Sequence, residues 1–419
     1  MTHNSICCHM AIRIVTVISP ITPEKTTLQL IRDVSVPGVK ALSREDFLME
    51  AKESPDILDD RIYLFVGTGG TESLISELVD QSGLKSPIVL LSHPGNNSLP
   101  AAMETRAYFQ QRGMRSRIVH TPLDSLRDMI HAREEFLQAE EKIANSRLGV
   151  IGNPSFWLIA SQVDEEAVKK RWRTSIEHFS IDTIKQDLNL EALQESRPSE
   201  LIKGAKSNST SDEELAKAGA VAKSLNEVME KNGLDAVTVE CFKLLEDTGI
   251  SGCHALSQLN DKEGLVAGCE GDIPAAFTMM VAKVLTKQPS FMANVAHVDP
   301  ATNSAVFAHC TIATSLTEEY DIMTHFETQK SVAIRGKVAP QRVTVFKIFG
   351  RDLSQYWISG GTMMENLENE NACRTQIRVK MDRSVDYFLE SSLANHHIVV
   401  PGNHAKTLHD FLAFASTRM

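Results

Sequence analysis

The sequence predicts an α/β protein in which two doubly wound parallel α/β domains precede a mostly antiparallel β domain. Through most of the chain, short apolar segments alternate with longer segments of helical periodicity, which is typical of βαβ units and parallel sheets. Beyond Pro300, short strands follow one another with only glycine-containing and polar turns between them, which favours antiparallel pairing. The chain has 419 residues, and one hydrophobic core rarely serves more than about 250 to 300 residues.

The domain boundaries are expected where these patterns change. The prediction is an N-terminal α/β domain over residues 1–147, a second α/β domain over 148–290, and a C-terminal antiparallel β domain with a final helix over 291–419.

The N-terminal domain is predicted to contain four strands: Ala11–Ile18, Arg61–Gly67, Pro87–Leu91 and Ser116–His120. The glycine-rich loop Gly67–Ser73 has neither the lysine of a P-loop nor the spacing of a dinucleotide fingerprint. A plain βα turn and an anion-binding loop are both open interpretations. The third strand leads into a polar loop with His93, and open parallel sheets bind ligands outside the carboxyl ends of their strands.

The second and third domains continue with elements of each type. Leu148–Ile151 predicts a strand that leads into a loop with Trp157, and Leu215–Asn232 predicts a helix that ends at Gly233. Ala236–Phe242 predicts another strand. The C-terminal domain is predicted to contain the strands Ser331–Ile334, Arg342–Phe349, Gln355–Ser359, Gln376–Met381 and His397–Val400, and the helix Ala405–Ala415.

Two carboxylates lie between a small-residue segment and a predicted helix. Glu270 and Asp272 follow Ala-Gly-Cys and precede Pro274, which is favourable in the first turn of a helix. Helix capping is one interpretation of Asp272. Glutamate is a poor cap, and a carboxylate among small apolar residues is costly unless it is paired or bound to a cation. Glu270 is therefore the stronger candidate for a site residue.

A predicted β-hairpin follows this helix. Its strands are Ser290–Val298 and Ser304–His309, with an Asp-Pro turn between them. Asn294 lies on the first strand and His309 at the end of the second. A satisfied polar residue and a ligand are both open interpretations of His309.

Adjacent histidines, His396 and His397, occur near the C-terminus. Neighbouring residues of a strand point to opposite faces, so at most one of the two faces a given site. A neutral imidazole together with a carboxylate suits Mn, Zn, Fe or Co.

Four segments carry a resemblance to a known family: CEGDIPAAFTMM, SFMANV, AHCT and NHHIVVPGNH. In this order they resemble the L-fucose isomerase and L-arabinose isomerase superfamily. The resemblance implies a ketol isomerase that binds a divalent cation, usually Mn²⁺, and moves a proton between C1 and C2 of an open-chain monosaccharide through an ene-diol. It also implies a homo-oligomer, hexamer or trimer, often with a site completed by a neighbouring subunit.

The resemblance assigns roles to particular residues. Glu270 falls on the family's first metal-binding carboxylate, and the family's late histidine falls on His396 or His397. Asn294 stands where the fucose isomerase pattern has aspartate. An amide oxygen can bind a metal, but an amide cannot act as a base at neutral pH. Either Asp272 or His309 moves the proton, or the chemistry has changed.

Three functions therefore compete. The first is metal-dependent aldose–ketose isomerisation, the second another metal-assisted sugar reaction such as epimerisation, and the third non-catalytic sugar binding. His93, Trp157 and Arg335 are candidate substrate contacts, through a strand-end loop, an aromatic face and a guanidinium. Their structural alternatives are a loop residue, a core or interface tryptophan, and an exposed strand arginine.

Composition limits the partners and the compartment. The formal net charge of -11 argues against a nucleic acid or a membrane surface as partner. The sequence has no apolar run long enough for a transmembrane helix, and its start lacks the apolar core of a signal peptide. Seven cysteines at irregular spacings do not describe a disulfide framework. We therefore expect a cytoplasmic protein.

Overall fold

A computed structural model of the chain describes residues 12–85, 88–185 and 197–415. The chain divides into two compact units between Leu137 and Gln138. Ala11 and Pro87, with which two predicted strands begin, lie outside the described residues.

The first unit contains a five-stranded sheet in the order β2-β1-β3-β4-β5, in which every pair is parallel. Its strands are β1 (Ile12–Val17), β2 (Lys40–Ser43), β3 (Arg61–Val66), β4 (Ile88–Ser92) and β5 (Ser116–His120). Its helices are α1 (Glu24–Asp33), α2 (Arg44–Glu53), α3 (Glu72–Ser82), α4 (Ser98–Gln111) and α5 (Leu126–Ala144), the last of which continues past Leu137.

Apolar residues cover this sheet on both faces. Leu64 and Val66 of β3 pack in one hydrophobic cluster with residues of α2, α3 and α4. Tyr63 and Phe65 of the same strand pack in another, with residues of α1 and α5. This alternation follows from the two-residue period of a strand. The structure confirms the predicted parallel sheet.

The second unit contains a four-stranded parallel sheet in the order β10-β9-β6-β7. Its strands are β6 (Arg147–Ile151), β7 (Ser175–Phe179), β9 (Ala236–Val239) and β10 (Val266–Cys269). The short strand β8 (Ser207–Asn208) lies outside this sheet. The helices are α6 (Glu165–Trp172), α7 (Ser199–Gly204), α8 (Asp212–Asn232), α9 (Cys241–Thr248), α10 (Cys253–Asp261) and α11 (Ile273–Thr286).

Two helix termini differ in how well the sequence predicts them. Helix α8 ends at Gly233, which adopts the left-handed conformation, as the sequence predicts. The predicted strand Ala236–Phe242 is too long, because Glu240 is already the N-cap residue of helix α9, which begins at Cys241. An apolar segment of this length can continue as a helix without any change in its composition.

Six further strands of the second unit form a closed barrel in the order β11-β12-β17-β16-β15-β18, and every described pair within it is antiparallel. A smaller sheet has the order β14-β13-β8. The strands are β11 (Phe291–Asp299), β12 (Ser304–His309), β13 (Glu319–Met323), β14 (Ala333–Lys337), β15 (Arg342–Phe349), β16 (Gln355–Asn366), β17 (Thr375–Met381) and β18 (His397–Pro401). Two helices complete the chain, α12 (Asp386–Glu390) and α13 (Ala405–Ala415).

The barrel confirms the predicted antiparallel pairing but adds closure, which the sequence does not predict. Closure depends on the pairing of β11 with β18, in which Ala293 lies opposite His397. These residues are far apart in sequence, so no local pattern signals their contact. The first strand of the antiparallel barrel, β11, follows α11. Among the described helices, none combines the length and the apolar character needed to cross a membrane.

Candidate metal centre

Three buried side chains of the second unit could hold one metal ion. Glu270, His309 and His396 each offer a ligand atom, and these atoms lie within 4.8 Å of one another. They come from the end of β10, the end of β12 and the residue before β18. The parallel sheet and the barrel therefore both contribute to this group.

The backbone at Glu270 makes a tight turn. Its φ of 62° lies in the left-handed region, and Gly271 follows with a φ of 68°. A Cβ at Gly271 would collide with the carbonyl oxygen of Asn153, so this position requires glycine. The carbonyl of Glu270 accepts a hydrogen bond from the N–H of Ser155 at 2.8 Å. A left-handed non-glycine residue costs about 1–2 kcal/mol, so the fold holds Glu270 against a conformational preference.

Two neighbours hold the Glu270 carboxylate. Oε2 accepts a hydrogen bond from the indole N–H of Trp157 at 2.7 Å, and Oε1 lies 3.4 Å from Nε2 of His396. Burial raises the pKa of Glu270, but His396, His309 and the Trp157 N–H together outweigh burial, so that the pKa lies below its usual value. Glu270 is therefore a buried carboxylate that stays ionised.

Asp272 both caps a helix and orients a histidine. Its Oδ1 accepts the N–H of Ala275 at 2.8 Å in the first turn of α11, which confirms the capping interpretation. Its Oδ2 lies 2.8 Å from Nδ1 of His396 and 3.8 Å from Nζ of Lys347. Burial raises the pKa of Asp272, but Lys347 and His396 lower it to about 2.

His396 is fully buried between two carboxylates. Its Nδ1 is hydrogen-bonded to Asp272, while its Nε2 faces Glu270 and has no hydrogen-bond partner among the described residues. Burial lowers the pKa of His396, but Asp272 and Glu270 raise it to about 9. A histidine that binds a metal through one nitrogen commonly has the other on a carboxylate, which is the arrangement here.

His309 supplies the second imidazole. Its Nδ1 lies 2.9 Å from the hydroxyl of Thr311, and its ring meets that of His396 edge to face at a centroid distance of 5.7 Å. Burial, with the nearby His396, lowers the pKa of His309 to about 4. A neutral imidazole with one nitrogen satisfied by Thr311 can offer the other to a cation.

Asn294 lines a cavity of about 50 Å³ that Glu270 and His309 also line. Its side-chain oxygen accepts a hydrogen bond from the amide of Asn395. Its amide nitrogen lies 3.9 Å from Sγ of Cys373. The structure thus brings Asn294 to the cavity but engages its oxygen with another amide.

His397 points away from this group, as strand alternation requires. Its Nε2 lies 3.0 Å from the hydroxyl of Tyr387, and its Nδ1 lies 2.8 Å from the carbonyl of Asn395. The ring packs edge to face on Trp357. Burial lowers the pKa of His397 to about 3. Of the two adjacent histidines, His396 is the one beside Glu270.

The three predicted substrate contacts have different surroundings. Trp157 is 40% exposed and donates to Glu270, so its ring lies at this site. Arg335 makes two hydrogen bonds to Asp321, at 3.0 and 2.8 Å. His93, in the first unit, stacks on Phe65, and its Nε2 lies 3.0 Å from the carbonyl of Gly67.

Two residues near the site are not among those predicted from the sequence. Lys347 is fully buried on β15, and its Nζ makes no hydrogen bond within the described part of the chain. A lysine in the apolar strand sequence RVTVFKIF is a signal that could have identified it. His325, buried at the wall of the cavity, follows the unpredicted strand β13 and has no comparable signal.

No family model matches the chain. Part of the chain is similar to two curated proteins, each named sulfoquinovose isomerase. The protein from Alkalicoccus urumqiensis is 28% identical over 88 residues, which are 20% of this chain and 20% of that protein. The protein from Clostridium sp. (strain MSTE9) is 30% identical over 96 residues, 22% of this chain and 21% of that protein.

The chain thus matches about a fifth of the length of these relatives. Their names point weakly to sugar isomerases, and they do not show the L-fucose isomerase family. That family resemblance stays an inference from the four sequence segments.

Proposed function

We propose that this chain is a metal-dependent isomerase of an open-chain monosaccharide and that Glu270, His309 and His396 bind its divalent cation. The observation that carries the proposal is the convergence of three buried ligand atoms within 4.8 Å. The partial similarity to two isomerases of a sugar supports the reaction class.

One carboxylate and two imidazoles form a ligand set suited to Mn²⁺, Zn²⁺, Fe²⁺ or Co²⁺, and Mn²⁺ is the cation we propose. The bound cation would polarise the sugar carbonyl and stabilise the charge of the ene-diolate. A cation would also compensate Glu270, whose burial is otherwise offset only by its neighbours.

Asp272 acts as a positioning residue in this proposal. Its hydrogen bond to Nδ1 of His396 fixes the imidazole so that Nε2 faces Glu270. Lys347, 3.8 Å from the same carboxylate oxygen, keeps Asp272 ionised. Because its oxygens are engaged by His396 and by the first turn of α11, Asp272 does not receive the substrate proton.

His325 is the group that we propose moves the proton. Asn294 cannot act as a base, and His309 is part of the ligand group. His325 lines the same cavity as Glu270 and Asn294, and its Nδ1 lies 3.4 Å from the hydroxyl of Thr328. In this proposal its Nε2 receives the substrate proton. Histidine is the side chain most often used for general acid–base catalysis.

Asn294 favours a second candidate, metal-assisted epimerisation. An amide at the place where the fucose isomerase pattern has an acid indicates a changed proton relay. In that case the same cation site would serve a reaction that returns the proton to the carbon from which it came.

Proton NMR in D₂O tests the reaction. The protein is incubated with Mn²⁺ and a panel of aldoses and ketoses that includes sulfoquinovose, and the metal is removed before observation. We expect ketose formation with deuterium entering at C1 or C2. Deuterium exchange with inversion and without ketose would instead establish epimerisation. A protein that binds Mn²⁺ but exchanges no proton of any sugar would contradict both reactions.

His325→Gln separates the proton relay from cation binding. The proposal predicts loss of exchange with unchanged Mn²⁺ affinity. If the variant exchanges sugar protons at the wild-type rate, His325 is not the base.

A further inference from the structure

Five cysteines line the cavity beside the candidate metal centre, and none of them is in a disulfide. The sequence contains seven, of which Cys7 and Cys8 lie outside the described residues. The five come from separate elements, the starts of α9 and α10, the end of β10, the residue after β12 and the loop before β17: Cys241, Cys253, Cys269, Cys310 and Cys373. No local sequence pattern groups them, so the fold alone brings these thiols together.

Three of these thiols form a connected group. Cys253 and Cys310 lie in one buried apolar cluster, and Cys373 packs against it. The backbone explains the proximity of Cys310 and Cys373, because His309 pairs with Thr375 across the antiparallel strands β12 and β17. Two of the three are buried, and Cys373 is half-buried.

Cys373 links this group to the candidate metal centre. Its sulfur lies 3.9 Å from the side-chain nitrogen of Asn294, and the N–H of Arg374 points to Sγ of Cys310 at 3.5 Å. Cys373 is therefore the member of this group that lies beside Asn294.

We propose that Cys310 and Cys373 form an oxidation site for a small hydroperoxide, at which the two thiols are converted to a disulfide. One thiol, as its thiolate, attacks the peroxide oxygen; the O–O bond breaks, and a sulfenic acid and water form from hydrogen peroxide. The second thiolate attacks the sulfenic sulfur, the S–S bond forms, and the hydroxyl leaves as water. The two thiols lose two electrons, and the peroxide gains them.

The size of the cavity selects the oxidant. A cavity of about 15 Å³ is large enough for one water molecule. The cavity of about 50 Å³ admits hydrogen peroxide but is far too small for a tripeptide disulfide. We therefore expect hydrogen peroxide to oxidise the pair and glutathione disulfide not to react with it.

Disulfide formation would also alter the metal centre. It brings the sulfur of Cys373 to about 2.05 Å from that of Cys310 and so changes its position relative to the Asn294 amide. Asn294 lines the same cavity as Glu270 and His309, so we expect the oxidised protein to bind Mn²⁺ about tenfold more weakly. This second effect rests on the proposed function, whereas disulfide formation does not.

Peptide mapping of the full-length, Mn²⁺-loaded protein tests the proposal. The protein is treated with hydrogen peroxide, quenched with catalase, alkylated and digested without reduction. We expect a peptide pair joined through Cys310 and Cys373 that disappears after treatment with dithiothreitol. Mapping also separates this pair from Cys7 and Cys8.

Cys373→Ser and the matched control Cys241→Ser complete the test. The first should abolish the disulfide at Cys310, and the second should leave it unchanged. A wild-type map with no disulfide, or with one that omits Cys373, overturns the proposal whether or not the variants fold. In the same wild-type sample, a disulfide without sugar turnover would support the oxidation site and count against the proposed reaction.

Discussion

The carboxyl ends of the two parallel sheets present polar residues in different ways. In the first unit, the ring of His93 after β4 is satisfied by a backbone carbonyl and by stacking on Phe65. In the second unit, Glu270 after β10 is ionised and faces Nε2 of His396, which has no hydrogen-bond partner in the described part of the chain. A polar loop at a strand end thus marks a place where a site can form. Opposed, buried and incompletely satisfied groups distinguish a candidate site from a structural turn.

The largest expected effect comes from Glu270→Gln. The change keeps the shape but removes the negative ligand, so we expect Mn²⁺ affinity and sugar turnover to fall by more than about 100-fold. Isothermal titration calorimetry and the NMR assay measure the two effects, and circular dichroism checks the fold.

His93→Gln is the matched change in the first unit. It should leave Mn²⁺ binding unchanged and alter only thermal stability. Equal losses of Mn²⁺ affinity in both variants would contradict the distinction between the two sheets.

Asp272→Asn is expected to lower Mn²⁺ affinity by about 10- to 100-fold, because asparagine still caps α11 but no longer holds His396 with a charge. Asp164→Asn is the control, since Asp164 caps α6 through the N–H of Ala167. An equally large loss in the control would assign the effect to capping.

Asp272→Asn should also change how the stability of the protein depends on pH in acid. The pKa of Asp272 is lowered to about 2 in the folded protein, from about 3.8 in the unfolded chain. The ionised carboxylate therefore stabilises the fold above about pH 3.8, and this stabilisation is lost as the pH falls toward about 2. The free energy of unfolding of Asp272→Asn should depend less on pH than that of the wild type. Denaturant titrations between about pH 2 and 3.8 measure this difference.

Cation binding at pH 7 should release about one proton, because the pKa of His396 is raised to about 9 in the absence of a cation. A proton and the cation compete for Nε2 of His396. The affinity for the cation should therefore rise with pH and level off above about pH 9. Calorimetry in buffers of different ionisation enthalpy measures the release. Binding without proton release would exclude His396 as a ligand.

Trp157→Phe should have the smallest effect. The change keeps an aromatic ring but removes the N–H that holds Oε2 of Glu270. Because the indole is partly exposed, we expect only a several-fold loss of Mn²⁺ affinity, measured by the same titration. A loss as large as that of Glu270→Gln would mean that the hydrogen bond, rather than the carboxylate itself, dominates the site.

The sequence predicts those features of the fold and site that depend on local pattern. Strand and helix alternation predicts both parallel sheets, and Pro274 after two acids predicts the start of α11. Strand periodicity places at most one of His396 and His397 at the candidate metal centre, since the two must face opposite ways.

Other features depend on contacts between distant segments. The pairing of β11 with β18 closes the barrel and brings His396 to Glu270, and neither strand signals its partner. Lys347 and Asp272 are likewise far apart in sequence, and only the fold brings the lysine to 3.8 Å from the carboxylate. The left-handed conformation of Glu270 is likewise set by its packing, because glutamate has no preference for it.

Pulsed EPR of the Mn²⁺-loaded protein detects nitrogen nuclei bound to the ion and so reports on the proposed imidazole ligands themselves. Binding by His309 and His396 predicts couplings from two imidazole nitrogens. One coupling should be lost in His396→Gln, and both should be retained in His397→Gln. An Mn²⁺ ion without nitrogen couplings, or one whose couplings survive the loss of His396, would contradict a cation site built from Glu270, His309 and His396.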